Sequence, residues 1–236
     1  MPINQCIILA GGLGTRLRSA VADLPKCMAP VADKPFLHWV ITYLQQQKVT
    51  SFILSLGYMH EVMEEYIKNY FPNLDIQFSV ENEPLGTGGA IHLAMQLCTE
   101  ENVLVVNGDT LFETNNENVL AQHLTKKSTC TLALKPMQNF DRYGVVKINS
   151  NNRIISFEEK KYQQTGLING GVYLINRQLF LQEKLPQKFS FEKDYLEKYI
   201  NELNMIGVED DGYFIDIGIP EDFVKANKEI KLKYHV

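Results

Sequence analysis

A glycine-rich segment near the start of the chain carries residue types that bind phosphate groups. It follows an apolar run at residues 6–10, which predicts a buried strand. Glycines let a backbone come close to a ligand and direct its N–H groups at it, and a guanidinium in the same loop matches a phosphate. The spacing fits neither the dinucleotide fingerprint G-x-G-x-x-G nor the P-loop G-x-x-x-x-G-K-[ST], so a plain tight turn stays open as the alternative. The residues concerned are Leu9, Ala10, Gly11, Gly12, Gly14, Thr15 and Arg16.

Two aspartates, Asp109 and Asp216, each follow an apolar run, and the pair could hold a divalent cation. Ligands of open α/β sheets collect at the carboxyl ends of the strands. Mg²⁺ binds through one or two carboxylates together with substrate phosphates. Arg16 and Lys26 would then balance the remaining phosphate charge. The alternatives are a turn or capping role for each aspartate and a solvated loop position for Lys26.

The elements that would position these residues alternate in the first half of the chain. The predicted strands lie at residues 6–10, 51–56, 75–80 and 103–107. The predicted helices lie near residues 36–47, 60–69 and 88–97. Alternation of this kind predicts βαβ units and a mostly parallel sheet, with ligands at the carboxyl ends of its strands.

The second half of the chain is richer in strands. The predicted strands lie at residues 129–135, 144–148, 153–157 and 167–175, and the predicted helices lie near residues 192–203 and from residue 220 onwards. No linker or repeat divides the chain. We therefore expect a single α/β domain over residues 1–236, with a nucleotide-binding half at about 1–115 and a second half at about 116–236.

The composition excludes several classes of function. The chain has 236 residues, 45% of them hydrophobic, and a net charge of −5. Without a basic block, nonspecific nucleic-acid binding is not expected. No apolar stretch reaches membrane-spanning length, and residues 1–5 lack the charged start of a secretory signal. Four scattered cysteines favour buried free thiols in the cytoplasm.

Short motifs in a fixed order make the sequence resemble the sugar-1-phosphate nucleotidylyltransferases. The glycine-rich segment and Pro25-Lys26 begin the series. The others are G-T-G-G-A at 86–90, N-G-D at 107–109, E-E-K at 158–160, N-G-G-V-Y at 169–173 and D-I-G-I-P at 216–220. The resemblance covers nearly the whole chain. It implies a Rossmann-like, mostly parallel sheet flanked by helices, the nucleotide-diphospho-sugar transferase or GT-A-like fold.

The reaction that the resemblance implies joins a nucleoside triphosphate to a sugar 1-phosphate and releases pyrophosphate. It implies Mg²⁺ as cofactor, held by Asp109 and Asp216, and Arg16, Lys26 and Asp109 as catalytic residues. The nucleotide side would add Glu81, Gly86, Thr87 and Gly108 to the first glycine-rich segment. The sugar side would comprise Gly144, Glu159, Lys160, Asn169 and Gly170. Lys161 is interpreted as a solvated neighbour.

The choice of base depends on Glu81. A carboxylate there can accept two parallel hydrogen bonds from N1–H and N2–H₂ of guanine, whereas uracil and thymine offer one ring N–H. Small residues at Gly88 and Gly89 are expected to let the backbone approach the flat base. We therefore favour GTP. The alternative is an exposed strand-end glutamate, which is our interpretation of Glu83.

The length and the C-terminal motif look most like the members of the family that act on D-glycero-α-D-manno-heptose 1-phosphate. Mannose 1-phosphate with GTP, and N-acetylmuramic acid or glucose 1-phosphate with a pyrimidine nucleotide, are the alternative substrates. A GT-A glycosyltransferase normally needs D-x-D, which N-G-D at 107–109 does not match. A catalytically dead nucleotide sensor is a further alternative, and a homo-oligomer is left open.

Overall fold

The structure, a computed structural model, describes residues 2–12 and 24–235 and contains alternating strands and helices. The strands are β1 (Gln5–Leu9), β2 (Pro30–Val31), β3 (Lys34–Pro35), β4 (Ser51–Leu56), β5 (Asp75–Val80), β6 (Asn102–Asn107), β7 (Thr110–Phe112), β8 (Cys130–Phe140), β9 (Val145–Ile148), β10 (Ile154–Glu158), β11 (Gln163–Asn176), β12 (Met205–Glu209) and β13 (Phe214–Asp216). The helices are α1 (Phe36–Gln46), α2 (His60–Tyr70), α3 (Gly86–Met95), α4 (Asn116–Thr125), α5 (Arg177–Gln182) and α6 (Pro220–Tyr234), with a 3-10 turn at Lys26–Met28 and a π-helical segment at Phe191–Glu197.

Strands from both predicted halves of the chain form one sheet. In the part of the chain that the structure describes, its order is β10-β9-β11-β6-β1-β4-β5, and β8 joins β11 to β12. β1 pairs in parallel with β4 and β6, and β4 pairs in parallel with β5. β11 runs antiparallel to β6, β8 and β9, and β10 runs antiparallel to β9. β10 and β11 therefore oppose the other strands of a mostly parallel sheet, which confirms the predicted fold class.

The central strands are apolar on both faces because helices cover both faces. Ile7 of β1 belongs to one hydrophobic core that also contains Ile91 of α3 and the aromatic residues of the π-helical segment. Its neighbours Cys6 and Ile8 point to the opposite face, where α1, α2 and α6 contribute residues such as Ile41. The alternation of side chains along a strand thus divides one apolar run between two cores.

Short elements and elements with weak apolar patterns escaped the sequence analysis. They are β2, β3, β7, α4, α5, β12 and β13. The helix predicted near residues 192–203 is π-helical over Phe191–Glu197 and continues as turns. No helix within residues 2–12 and 24–235 is both long and apolar enough to cross a membrane.

Candidate active site

A cavity of about 350 Å³ opens at the carboxyl ends of β1, β4, β5 and β6. The predicted nucleotide residues that line it are Leu9, Ala10, Gly11, Gly12, Glu81, Gly86 and Thr87. Lys26 and Asp109 line it as well. Gly14, Thr15 and Arg16 fall outside the described residues. The structure thus brings together the two glycine-containing segments and the first acidic motif, as predicted.

Gly108 allows two strands that border the cavity, β1 and β6, to come close together. Its N–H donates to the carbonyl oxygen of Leu9 at 2.9 Å. A Cβ added at Gly108 would lie 2.7 Å from that oxygen. Glycine is therefore required at this position so that the end of β6 can approach the end of β1, and Gly108 contributes to the site through its backbone.

Lys26 lies between the two predicted metal ligands. Its Nζ forms an ion pair with Oδ2 of Asp109 and lies 3.4 Å from Oδ1 of Asp216. The backbone fixes this arrangement, because Asp216 pairs with Thr110 in the β7–β13 ribbon and Ile217 N–H donates to Asp109 O at 3.1 Å. Gly218 N–H donates to Asp216 Oδ1 at 2.7 Å. Two carboxylates are therefore held around one position of positive charge.

The arrangement fits a divalent cation. The ammonium of Lys26 occupies a place between Asp109 and Asp216 where a metal ion could replace it. Two carboxylates are a donor set that Mg²⁺ uses when substrate phosphates complete its coordination. Within residues 2–12 and 24–235 no group of three or more His, Cys, Asp or Glu side chains could hold a metal without such help.

Glu81 lines the cavity, and one of its two carboxylate oxygens accepts a hydrogen bond from the backbone. Its Oε2 accepts a hydrogen bond from Leu85 N–H at 2.7 Å. Burial raises the pKa of this carboxyl, and the Leu85 N–H lowers it by a smaller amount. A Cβ added at Gly11 would lie 3.1 Å from the other oxygen, Oε1. Glu81 is therefore an acceptor on the cavity wall, whereas Glu83 is exposed, as interpreted from the sequence.

Gly88 and Gly89 serve a purpose different from the predicted one. A Cβ at Gly88 would lie 2.1 Å from the ring of Phe189, and one at Gly89 would lie 2.4 Å from the carbonyl oxygen of Gln187. Both glycines are buried and do not line the cavity. They allow the segment before the π-helical turn to pack against α3, so the expectation that they approach a base is wrong.

A second cavity of about 450 Å³ adjoins the first on the side of β9–β11. All five predicted sugar-side residues line it, together with Asp216. They are Gly144, Glu159, Lys160, Asn169 and Gly170. Asn169 is fixed at both ends, since its Nδ2 donates to Tyr173 OH at 2.8 Å and its Oδ1 accepts from Gly171 N–H at 3.0 Å.

Two glycines of this cavity are required by close packing. A Cβ at Gly144 would lie 2.6 Å from the carbonyl oxygen of Glu158, and one at Gly170 would lie 2.2 Å from the ring of Phe112. Both residues thus shape the cavity by allowing neighbouring backbone and ring to come near.

The lysines beside the second cavity differ in their partners. Lys161 lies 3.5 Å from Oε2 of Glu158, and Lys147 pairs with the other oxygen of the same carboxylate. Lys160 is exposed and has no carboxylate within 4 Å among the described residues. The second cavity is therefore lined by two cations, the predicted Lys160 and Lys193, whereas Lys161 is a paired surface residue.

Asn107, Tyr143 and Glu192 are among the site residues that were not predicted. Asn107 and Glu192 line both cavities. Tyr143 OH donates to Asp216 Oδ2 at 3.3 Å, and burial followed by the charge of Asp216 raises the pKa of this phenol. Asn107 and Tyr143 adjoin predicted residues and could have been found on that ground. Glu192 carries no sequence signal, because it reaches Thr87 across 105 positions of the chain.

The fold and the two adjoining cavities define a nucleotidyltransferase. The sequence profile of the Nucleotidyl transferase family matches residues 5–233, and the chain belongs to this family. The family membership confirms the resemblance on which the sequence analysis relied.

Two relatives and one solved structure are similar to the chain over most of its length. The chain is 51% identical over 227 residues to the D-glycero-alpha-D-manno-heptose 1-phosphate guanylyltransferase of Aneurinibacillus thermoaerophilus, across 96% of this chain and 98% of that protein. It is 46% identical over 219 residues to the enzyme of the same name from Campylobacter jejuni subsp. jejuni, across 93% and 96% of the two chains. The crystal structure of HddC from Yersinia pseudotuberculosis complexed with GMP-PN superposes with a TM-score of 0.88 at 37% identity, covering 97% of this chain and 100% of that one.

Proposed function

We propose that this protein transfers GMP from GTP to D-glycero-α-D-manno-heptose 1-phosphate and releases pyrophosphate. Two relatives that share about half of its residues over nearly their full length carry this activity in their names. The related HddC structure contains GMP-PN. These proteins support GTP and a heptose 1-phosphate as the two substrates, and the product is then the GDP-sugar.

One observation carries the proposal: the two cavities meet at a shared set of charges. Asp109 lines the first cavity and Asp216 lines the second, while Lys26 contacts both carboxylates. A nucleotide in the first cavity and a sugar phosphate in the second would therefore meet at Lys26. This is the arrangement that a transfer between two phosphate compounds requires.

The chemistry needs charge balance and positioning rather than a general base. The attacking group is a phosphate monoester, whose second pKa is about 6, so it is already ionised near neutral pH. The difficulty is that one anion must attack another. Lys26 and Arg16 would balance charge on the nucleotide, and Lys160 would hold the sugar phosphate. A bound Mg²⁺ would supply further positive charge at the phosphates.

The assigned residues follow from this division. We assign nucleotide binding to the first cavity and sugar binding to the second, with Asp109 and Asp216 as metal ligands and residues 1–236 as one catalytic domain. The four cysteines are free and buried, which supports the cytoplasm as the compartment.

The decisive experiment is pyrophosphate release measured for each pairing of four nucleoside triphosphates with several sugar 1-phosphates. The sugars would include heptose, mannose, glucose and N-acetylmuramic acid 1-phosphates. We expect the highest kcat/KM for GTP with heptose 1-phosphate. A maximum at mannose 1-phosphate would correct the sugar alone, and a maximum with UTP or dTTP would overturn the guanylyl assignment.

A further inference from the structure

On the wall of the nucleotide cavity, Ser55 has a buried hydroxyl group that finds no partner within residues 2–12 and 24–235. It lies in β4, is 1% exposed and lines the first cavity. Its Oγ makes no hydrogen bond to any of the described residues. Burying an unpaired hydroxyl costs stability, and such groups in folded proteins call for an explanation, a bound ligand among them.

The position of Ser55 places this hydroxyl beside the two segments assigned to the nucleotide. Ala10 N–H donates to the carbonyl oxygen of Ser55 at 2.8 Å, which joins β4 to the end of β1. Glu81 N–H donates to the carbonyl oxygen of Leu56, the next residue, at 2.9 Å. Ser55 therefore lies between the first glycine-rich segment and Glu81.

The chemistry of the two side chains is complementary. An ionised carboxylate such as Glu81 only accepts hydrogen bonds, so it matches the N1–H and N2–H₂ donors of guanine. Guanine also carries the acceptors O6 and N7. A hydroxyl can donate to either acceptor, and Ser55 supplies one at the cavity wall.

We infer that Ser55 is a specificity-determining residue that donates a hydrogen bond to O6 or N7 of the guanine base. The inference rests on the proposed function, because it requires a guanine nucleotide in the first cavity. It explains why a buried polar residue follows the buried Ile53 on this face of β4, at the cavity end of the strand.

The chain offers a matched control in Ser79. Ser79 is the register partner of Ser55 on the adjacent strand β5. It is 4% exposed and its Oγ is likewise unpartnered among the described residues, yet it does not line the cavity. Removing either hydroxyl relieves a buried unpaired group, so neither alanine variant should lower the thermal midpoint of unfolding.

The test compares Ser55→Ala and Ser79→Ala with the wild type on GTP, UTP, 6-thio-GTP and 7-deaza-GTP. We expect Ser55→Ala to lower kcat/KM for GTP about three- to tenfold, mainly through KM, as for loss of one neutral hydrogen bond. The loss should disappear with the analogue that lacks the relevant acceptor, which distinguishes O6 from N7. The affinity for GTP measured by calorimetry should fall to the same extent, and Ser79→Ala should match the wild type.

Equal losses with GTP and with both analogues would overturn the inference, as would an unchanged kcat/KM for GTP in Ser55→Ala. Either result leaves the proposed function intact, provided that the wild type prefers GTP. A wild type that prefers UTP would overturn the proposed function itself, and the inference about guanine with it.

Discussion

Asp109 and Asp216 are the metal ligands in our proposal, and Lys26 lies between them. Replacing either aspartate by asparagine keeps the shape and removes the charge. We expect kcat to fall at least ~10²-fold in each variant, in line with the loss of a key electrostatic group. Steady-state kinetics with Mg²⁺ varied would measure this.

Asp33→Asn is the control for this prediction, because Asp33 is 91% exposed and its ion pair with Lys231 lies at the surface. Mn²⁺ binding, followed by electron paramagnetic resonance in the presence of GTP, gives a readout independent of turnover. Wild-type turnover and Mn²⁺ affinity in both asparagine variants would show that the metal site lies elsewhere.

Glu81 determines the preference for GTP in our proposal. The neutral amide of Glu81→Gln would offer guanine one acceptor and one mismatched donor. We expect the preference for GTP over UTP, calculated as a free energy from the ratio of the two kcat/KM values, to fall by about 1–3 kcal/mol. Glu83→Gln is the matched control, since Glu83 is the exposed acid two positions away. An unchanged GTP/UTP ratio in Glu81→Gln would remove Glu81 from base recognition.

The raised pKa of Glu81 also predicts how GTP binding depends on pH. Burial favours the protonated form, and protonation removes an acceptor that guanine needs. KM for GTP should therefore rise as the pH falls through the pKa of Glu81, beginning at a higher pH than for an ordinary glutamate. The Glu81→Gln variant, measured over the same pH range, should lack this dependence. An identical rise in the variant would assign it to another group.

At the scale of elements, the start of α3 depends on glycine because of what packs on it. The ring of Phe189 occupies the space where a side chain at Gly88 would project. We expect Gly88→Ala to lower the free energy of unfolding by about 1–3 kcal/mol, as overpacking of a core does. Gly12→Ala is the control, because none of the residues that the structure describes lies within 4 Å of a Cβ there. Equal denaturant midpoints for the two variants would contradict this account of the packing.

The sequence predicted those elements in which the pattern of apolar residues indicates directly which faces are buried. β1 and β4 are continuous apolar runs because both of their faces are covered. α4 escaped because much of its surface is polar and exposed. β12 escaped although four of its five residues are buried, because its apolar run is short and is interrupted by Gly207.

The candidate site was predictable only in part, for a related reason. Motif residues such as Asp109 and Asn169 could be found because type and order identify them. Glu192 and the role of Gly88 could not be found, because both depend on contacts between α3 and a segment about a hundred residues later. Tertiary packing of this kind leaves no periodic signal in the sequence.

At the scale of the whole molecule, two histidines make stability depend on pH. Burial lowers the pKa of His123 to about 4, and burial together with Lys34 lowers that of His38 to about 4. Both are below the value of about 6.5 in an unfolded chain, so the unfolded state binds protons first. The contribution of these two histidines to the free energy of unfolding should be complete above pH 6.5. It should decline as the pH falls toward 4.

His123→Gln tests this dependence, because His123 is 2% exposed and contacts only Thr131 and Asn102 through its ring nitrogens. The loss in the free energy of unfolding between pH 6.5 and pH 4 should become smaller by at most about 3 kcal/mol. His235→Gln, at an exposed position, should leave it unchanged. Urea denaturation at several pH values measures the slope, and a slope equal to that of the wild type would exclude His123 as a source.

In our proposal the whole molecule binds two anions in adjoining cavities, and Lys160 and Lys26 each bind one of them. Lys160 faces the second cavity and Lys26 lies where the two cavities meet. Lys160→Ala should mainly raise KM for the sugar 1-phosphate, because it removes binding common to ground and transition states. Lys26→Ala should mainly lower kcat, because charge builds on the leaving pyrophosphate in the transition state.

Lys161→Ala is the matched control for this division, since the neighbouring Lys161 pairs with Glu158 at the surface. Its kinetic constants should equal those of the wild type. Steady-state kinetics with each substrate varied in turn would decide the assignment. If Lys160→Ala behaved like Lys161→Ala, the sugar phosphate would have to be held by another cation, and Lys193, which also lines the second cavity, would be the first to test.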